Sequence, residues 1–162
     1  MPRPGPSVRA LGPDDQTWVV EQLRAAWGVG GVVSRGRLID PTTLPGVLAE
    51  SGPDRVGLAT YDVDGDACEL VTINAFVDGL GVGGTLLDAV ADQARRLGCR
   101  RLWLITTNDN TRALRFYQRH EFRLVAVHTG AIAESRRLKP GISLIGNDGI
   151  PIRDELELER DL

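Results

Sequence analysis

The sequence predicts an α/β fold in which one mixed sheet carries helices on both faces. Three observations favour this fold class: apolar strands come early in the chain, a glycine-rich segment leads directly into an amphipathic helix, and strands alternate with helices after it. The 162 residues fit one domain, which we predict over residues 7–162, after a flexible arm over residues 1–6.

The composition is that of an ordinary globular chain. Hydrophobic residues make up 42% and charged residues 25%, and the formal net charge is -3. We therefore predict neither nucleic-acid nor membrane binding. The sequence has no apolar run of bilayer length and no apolar stretch at its start that is typical of a secretory signal. Cys68 and Cys99 have no second Cys or His at metal-ligand spacing, so we expect buried, reduced thiols, no metal and a cytoplasmic location.

The first half of the chain is predicted to form strands around one helix. Asp14 or Asp15 is expected to cap that helix, whose apolar residues recur at helical spacing as far as Trp27. The turn Asp64-Gly65-Asp66 predicts a hairpin between two later strands. The stretch from Val32 to Pro45 has no regular pattern. The predicted strands are Ser7 to Leu11, Gly46 to Ala49, Val56 to Val63 and Cys68 to Phe76.

The second half alternates helices and strands. A long helix after the glycines is expected to end at Gly98, and Asn110 or Thr111 to cap the next one. In the last strand, leucines alternate with glutamates, and we interpret this charge as protection of an edge strand. The remaining predicted elements are strands over Arg101 to Ile105, Arg123 to His128 and Ile152 to Leu158, with a short helix over Ala131 to Leu138.

The glycine-rich segment before the long helix is suited to binding phosphate. The first amides of a helix have no internal acceptor, the helix dipole makes that end positive, and glycines allow a ligand to approach the backbone. A strand, a glycine loop and a helix in this order predict an anion site. The amides expected to form it are those of Gly81, Val82, Gly83, Gly84 and Thr85.

Gly79, Gly81 and Gly84 also satisfy the dinucleotide-binding fingerprint. The context opposes that interpretation. The preceding strand mixes polar and apolar residues, whereas the first strand of a dinucleotide fold is buried on both faces. The next strand ends in Thr106-Thr107-Asn108 instead of near an acidic residue that would hold a ribose. A nicotinamide-dinucleotide enzyme is therefore disfavoured.

Two segments, in this order, resemble the GNAT superfamily of acetyl-CoA-dependent N-acyltransferases. Asp78 to Gly83 resembles the family's pyrophosphate loop, Gln/Arg-x-x-Gly-x-Gly/Ala. Asn108 to Tyr117, followed by Phe122, resembles its Asn-x-x-Ala helix with a late tyrosine. Two positions depart from the pattern, since Asp78 stands where the family has Gln or Arg, and Glu121 where it has glycine.

The resemblance implies a strongly twisted, mostly antiparallel mixed sheet that splays apart at its centre. It also implies that the chain moves an acetyl group from acetyl-CoA to a primary amine, with the pantetheine arm bound along one strand and the diphosphate on the glycine loop. The residues implied to bind acetyl-CoA are Val71, Thr72, Ile73, Gly79, Leu80, Gly81, Val82, Gly83, Gly84, Thr85, Asn110, Ala113 and Phe116.

Three side chains are candidates for the chemistry. The resemblance implies that Tyr117 is the general acid that protonates the departing thiolate. Glu69 is the candidate base, directly or through a water, because strand alternation predicts it on the same side as Val71 and Ile73. His128 competes with Glu69, since an imidazole suits proton transfer near neutral pH.

The acceptor amine is expected to be a small molecule, although protein lysines, protein N-termini and a non-catalytic acyl-CoA-binding role stay open. The irregular stretch near Arg35 and the long connection from Gly130 to Ile150 are the expected walls of the acceptor pocket. A homodimer is compatible with so small an enzyme. Polar side chains that would meet an acceptor, or that are simply solvated, are Arg35, Arg37, Asp148, Asp154 and Glu155.

Overall fold

The computed structural model describes residues 4–162, which divide into two compact units. The first unit comprises the chain up to Val29, Pro41–Leu102 and Leu162, and the second comprises Gly30–Asp40 and Trp103–Asp161. Residues 1–3 of the predicted arm lie outside the described residues. One domain over residues 7–162 stays a prediction.

The elements follow the predicted order. The strands are β1 (Ser7–Ala10), β2 (Val32–Ser34), β3 (Arg37–Ile39), β4 (Gly46–Ser51), β5 (Asp54–Asp64), β6 (Ala67–Ala75), β7 (Arg101–Thr107), β8 (Arg123–His128) and β9 (Glu155–Asp161). The helices are α1 (Gln16–Trp27), α2 (Val82–Arg96), α3 (Thr111–Arg119) and α4 (Ala131–Leu138). A mixed α/β chain with mostly antiparallel strands is thereby confirmed.

The first unit is an antiparallel meander with a helix on each face. Its strands lie in the order β1-β4-β5-β6. Leu58 of β5 packs in a buried cluster with Val19 and Leu23 of α1. The neighbouring Gly57 faces the opposite side, where a Cβ would overlap Val82 of α2 and lie 2.9 Å from Leu86 Cδ1. Glycine at position 57 therefore allows α2 to approach β5 closely.

Asp15 stands at the N-cap position of α1, as predicted, but its carboxylate accepts no hydrogen bond from the helix. It accepts instead from Arg9 at 2.7 and 2.8 Å, from Arg55 at 3.2 Å and from the Gly12 amide at 2.8 Å. The Arg9 hydrogen bonds, followed by the Gly12 amide, hold the pKa of Asp15 well below its ordinary value. The carboxylate therefore ties β1 and β5 to the start of α1.

We expect Asp15→Asn to lower the thermal unfolding midpoint at pH 7, because the two arginines would lose a buried anion. A lowered pKa contributes stability above the unfolded value of 3.8, and that stability is lost as the pH falls through the folded value. The gap between variant and wild type should therefore narrow below about pH 3. Asp14→Asn, at an exposed neighbour, is the control and should show no such gap.

The second unit contains three strands in the order β7-β9-β8 and the separate hairpin β2–β3. Two predictions are corrected here. The supposedly irregular stretch after Val32 contains this hairpin, whose tight turn at Arg35-Gly36 has positive φ at both residues. The last strand begins at Glu155, and because it lies between two strands it is not an edge. Edge protection therefore does not explain its glutamates.

Glu121, which stands where the family pattern has glycine, lies just after α3 in the left-handed conformation, with φ 69°. A side chain in that conformation costs about 1 kcal/mol relative to glycine. The predicted thiols are confirmed, because Cys68 and Cys99 are both buried and free. Among residues 4–162, no helix is both long enough and apolar enough to cross a membrane.

Candidate functional site

A β-bulge interrupts β6 where the sequence places the pantetheine-binding residues. Thr60 pairs with Thr72 while the next residue, Tyr61, pairs with Leu70, so Val71 is the extra residue. A bulge leaves the backbone of the additional residue unpaired and bends its strand. The bulge thus provides irregular backbone at the position predicted to bind the donor.

The bulge also changes which face Glu69 occupies. Regular alternation predicted Glu69 on the side of Ile73, but the extra residue reverses the alternation beyond it. Cross-strand partners share a face, so Glu69 lies on the side of Thr72. The predicted grouping of Glu69 with Ile73 is therefore wrong. Glu69 is only 3% exposed, which excludes a solvated strand-end carboxylate.

The face that Glu69 occupies is the α1 side of the first unit. Asn74 lies on that face opposite Leu58, and its side-chain oxygen accepts a 2.9 Å hydrogen bond from Trp27 Nε1 of α1. Thr60 and Thr72 lie on the same face and join their hydroxyls at 2.6 Å. The carboxylate of Glu69 is therefore buried on the face of β6 that also carries Thr72 and Asn74.

The glycine loop leads into a helix N-terminus whose first amides have no acceptor within the helix. Gly81 caps α2 in the left-handed conformation with φ 67°. The Thr85 amide and hydroxyl both donate to the Gly81 carbonyl, at 3.1 and 3.0 Å. Within the described residues, the amides of Val82, Gly83 and Gly84 are left without an acceptor.

The space and charge around this loop suit a diphosphate. A Cβ placed on Gly79 or on Gly81 would meet no heavy atom within 4 Å, so the approach to the backbone is open. Three unpartnered N–H groups lie at the positive end of a helix of 15 residues. The residues present therefore fit the diphosphate of acetyl-CoA, and Thr85 closes the first turn instead of contributing its amide.

Asp78 is exposed and lines a cavity of about 630 Å³ beside the loop, together with Phe76, Val77 and Leu80. Arg55 lines the same cavity, and its guanidinium carbon lies 4.9 Å from the ring centre of Trp18. Water screens the Asp78 carboxylate, which limits its repulsion of a phosphate. The departure from the family pattern therefore places a solvent-exposed carboxylate beside the loop.

Asn110 begins α3 in the second unit, because its side-chain oxygen accepts a 3.2 Å hydrogen bond from the Ala113 amide. This bond resolves the predicted cap in favour of Asn110 over Thr111. Nearby, Asn108 accepts from the amides of Arg153 and Asp154 at 2.9 and 3.0 Å. The two asparagines fix the two ends of the connection between β7 and α3.

Tyr117 is buried on α3, with 8% of its surface exposed. Its ring lies edge-on to Phe116 and Phe122, at centroid distances of 5.4 and 5.6 Å. Its hydroxyl has no hydrogen-bond partner among residues 4–162, and burial raises the pKa of Tyr117 well above its ordinary value. Among residues 4–162, every fully buried side-chain oxygen or nitrogen has a hydrogen-bond partner. Because the Tyr117 hydroxyl has no partner, it is not fully buried and retains contact with solvent. The phenol is therefore protonated and able to donate.

A polar cluster covers one face of β9 in the second unit. Glu155 and Glu157 are 2% and 7% exposed, although their alternation with leucines predicted solvated side chains. Glu155 accepts from the Arg35 amide at 3.1 Å and from Ser135 Oγ at 3.3 Å. Glu157 accepts from Arg35 Nη1 at 2.7 Å and from His128 Nε2 at 3.0 Å. The hairpin turn and α4 thus meet on the two glutamates.

Two other predicted acceptor residues, Asp148 and Asp154, lie outside this cluster. Asp154 accepts a 2.8 Å hydrogen bond from the Gly130 amide, and Asp148 is exposed in a turn with φ 55°. Arg37 is exposed at the start of β3. Sequence reasoning missed Glu157 because alternation alone cannot show which face of a strand is covered.

The long connection before β9 is folded throughout. Arg136 of α4 donates to the carbonyls of Ile142, Ser143 and Ile152 at 2.8 to 3.3 Å. The buried Asp109 accepts from the amide and the side chain of Asn147, each at 3.0 Å. The segment therefore forms a fixed wall of the second unit.

Both the sequence and the fold of the chain match those of known proteins. The family model described as "Acetyltransferase (GNAT) family" matches residues 14–122. YdhI of Bacillus subtilis (strain 168), a protein without a known function, is 37% identical over 132 residues, 80% of this chain and 82% of its own. Two solved structures at 18% identity share the fold. An IAA acetyltransferase from Bacillus cereus ATCC 14579 has a TM-score of 0.74, covering 97% of this chain and 99% of its own. A GNAT family acetyltransferase from Elizabethkingia anophelis with acetyl-CoA bound has a TM-score of 0.70, covering 98% and 99%.

Proposed function

The chain belongs to the GNAT acetyltransferase family, and from that membership we propose that it moves the acetyl group of acetyl-CoA onto a primary amine of a small molecule. The single observation that carries catalysis, as opposed to mere binding, is the hydroxyl of Tyr117. It is protonated, buried at the ring and free of any partner within the described residues.

Binding of the donor is assigned to backbone groups of the first unit. The amides of Val82, Gly83 and Gly84 would hold the diphosphate, as the open end of α2 supports. The bulge at Val71 would hydrogen-bond the pantetheine arm, with Thr72 and Ile73 beside it. Contacts from Gly79, Leu80, Gly81 and Thr85, and from Asn110, Ala113 and Phe116 in the second unit, complete the proposed set.

The transfer needs one proton donor and two proton acceptors. The free amine attacks the thioester carbonyl, a C–N bond forms, and the carbonyl π electrons move onto oxygen. When the carbonyl re-forms, the C–S bond breaks and the sulfur leaves with the electron pair. We assign to Tyr117 the donation of the proton that neutralises the thiolate. Glu69 accepts one of the protons released from nitrogen, directly or through a water.

A small-molecule acceptor is favoured by the connection before β9. A protein lysine or N-terminus would need an open groove, whereas this segment is held by Arg136 and Asp109. Protein substrates are therefore the second candidate. A binding protein without turnover is the third, because Asp78 replaces the Gln or Arg of the family pattern.

A thermal-shift series with acetyl-CoA, CoA and NAD tests the donor, and thiol release with a panel of amines tests the transfer. We expect selective stabilisation by acetyl-CoA and CoA. Thiol release with small amines and not with peptides would support the proposal. If acetyl-CoA stabilises the protein but no amine causes thiol release, the protein binds acetyl-CoA without catalysing transfer. If NAD alone stabilises it, the proposed acetyl transfer is contradicted.

Replacing Asp78 by Asn should strengthen acetyl-CoA binding, because a negative charge beside the diphosphate would disappear. For charges a few ångströms apart in water the gain is about 1 kcal/mol, or about fivefold in the dissociation constant. Titration calorimetry at low salt measures it, and the gain should shrink as salt is added. Asp92→Asn, on the exposed face of α2, is the control. Equal affinity of wild type and Asp78→Asn would show that the carboxylate turns away from the ligand.

A further inference from the structure

Two protons leave the acceptor nitrogen in amide formation, one before attack and one afterwards. We propose that His128 accepts the first of them, with Nδ1 as the receiving atom and with Glu157 and Arg35 as the positioning residues that hold its ring. This inference rests on the proposed acetyl transfer and deepens it, because it assigns the step that turns a bound ammonium into a nucleophile.

The hydrogen bonding of His128 leaves one ring nitrogen available. Nε2 lies 3.0 Å from Glu157 Oε1, and a carboxylate accepts only, so Nε2 carries the hydrogen and donates it. In the neutral ring Nδ1 then holds a lone pair. Within residues 4–162 no further side-chain interaction involves His128, and its side chain is 27% exposed. The basic nitrogen is therefore unpartnered and reachable.

The surroundings of His128 hold its ring in place. His128 lies opposite Glu155 and diagonal to Glu157 on one face of the β8–β9 pair. Arg35 comes from the β2–β3 turn and binds Glu157 with its guanidinium and Glu155 with its amide. From α4, the uncharged hydroxyl of Ser135 donates to Glu155. Glu155, Glu157 and Arg35 therefore form one hydrogen-bonded cluster with the imidazole.

Arg35 adopts a left-handed conformation because it is the first of the two residues in the tight β2–β3 turn. Its φ is 50°, in the left-handed region, which costs about 1 kcal/mol for a residue other than glycine. Both its amide and its side chain are used in the cluster.

The chain contains only two histidines, and the second provides a contrast. His120 Nδ1 lies 2.8 Å from the Phe116 carbonyl, and its ring packs on Phe116 at a centroid distance of 4.4 Å. The imidazole of His120 is therefore already hydrogen-bonded and packed at the end of α3. Metal binding does not account for the cluster around His128, since the described residues hold no group of three or more metal-ligand side chains suitably placed.

The proposed step balances without another reactant. The ammonium N–H bond breaks, its proton moves to Nδ1, and the electron pair stays on nitrogen. The resulting imidazolium is held through Nε2 by Glu157. The free amine then attacks the thioester, and the proton on Nδ1 returns to solvent after the product leaves.

The test compares His128→Gln with wild type in thiol-release assays on 1,4-diaminobutane, tyramine, kanamycin and a lysine-containing peptide. Glutamine keeps an N–H donor for Glu157 but has no basic nitrogen. Using the best of these amines, we expect kcat/KM to fall about 100-fold at pH 7. The fall of kcat/KM toward acid pH that a catalytic imidazole should produce is expected to disappear. His120→Asn should retain that acid limb, and the acetyl-CoA dissociation constant should not change.

Glu157→Gln is the second variant, and Glu159→Gln on the same face of β9 is its control. Losing the carboxylate that orients an imidazole should lower kcat/KM about tenfold and move the acid limb, whereas Glu159→Gln should leave it in place. If His128→Gln fails to fold, the test rests on Glu157→Gln. An acid limb of kcat/KM that does not move in Glu157→Gln would then overturn the inference. An acid limb that persists in folded His128→Gln also overturns it. No turnover of any of these amines by wild type would instead reject the proposed function.

Discussion

Tyr117→Phe should lower kcat about 100-fold, the usual range for loss of a general acid, while the dissociation constant of acetyl-CoA changes little. The substitution removes one oxygen from a side chain whose ring is packed against Phe116 and Phe122. The oxygen donates no hydrogen bond to any described residue, so its loss leaves the fold unchanged. The effect should therefore be confined to the step in which the C–S bond breaks.

The raised pKa of Tyr117 predicts the pH profile of this step. Burial disfavours the phenolate, so the group stays protonated up to and beyond the ordinary tyrosine value of about 10. Wild-type kcat should then show no loss of a required acid at mildly alkaline pH. If wild-type kcat instead falls as the pH rises through neutrality, and this fall is absent in Tyr117→Phe, the hydroxyl is less buried during turnover than in this structure.

The second tyrosine of the chain provides a matched control for this variant. Tyr61 is 6% exposed in β5, and burial raises its pKa as well. Tyr61→Phe removes the same oxygen from a comparably buried ring, with no proposed role in proton transfer. We expect its kcat to equal that of wild type. An unaltered kcat in Tyr117→Phe, or an equal loss in both variants, would remove Tyr117 from the mechanism.

Local patterns were sufficient to predict most elements of both units. Helical spacing and the stops at Gly28 and Gly98 correctly delimited α1 and α2, and Asn110 was correctly identified as one of two possible caps. These features depend on neighbours within one turn or one hairpin. Because such interactions are local, a single sequence contains the information that determines them.

The missed features depend on partners distant in the chain. Alternation predicted the face of Glu69 incorrectly because the bulge at Val71 arises from pairing with β5. It also left Glu157 as a solvated charge, since only the strand order β7-β9-β8 and the Arg35 turn show that it is covered. The site residues that sequence analysis overlooked are therefore those whose environment is made by tertiary contacts.

Gly81→Val should raise the dissociation constant of acetyl-CoA at least about tenfold, equivalent to about 1.4 kcal/mol. Gly81 adopts φ 67° as the cap of α2, and a Cβ there would project into open space. A β-branched residue strongly disfavours that backbone region, so the loop would rearrange and turn the amides of Val82 and Gly83 away. Titration calorimetry with acetyl-CoA measures the loss.

The strain of the substitution has to be separated from the loss of the phosphate site, and Gly65 permits this. It has φ 62° in the turn between β5 and β6, and a Cβ there also meets nothing within 4 Å. Gly65→Val should therefore destabilise the fold by a similar amount, about 1 to 2 kcal/mol, while acetyl-CoA still binds. If both variants bind equally well at matched stability, the open amides of α2 do not hold the diphosphate. If only Gly81→Val loses binding, the affinity depends on the geometry of this one loop, because the strain is common to both variants.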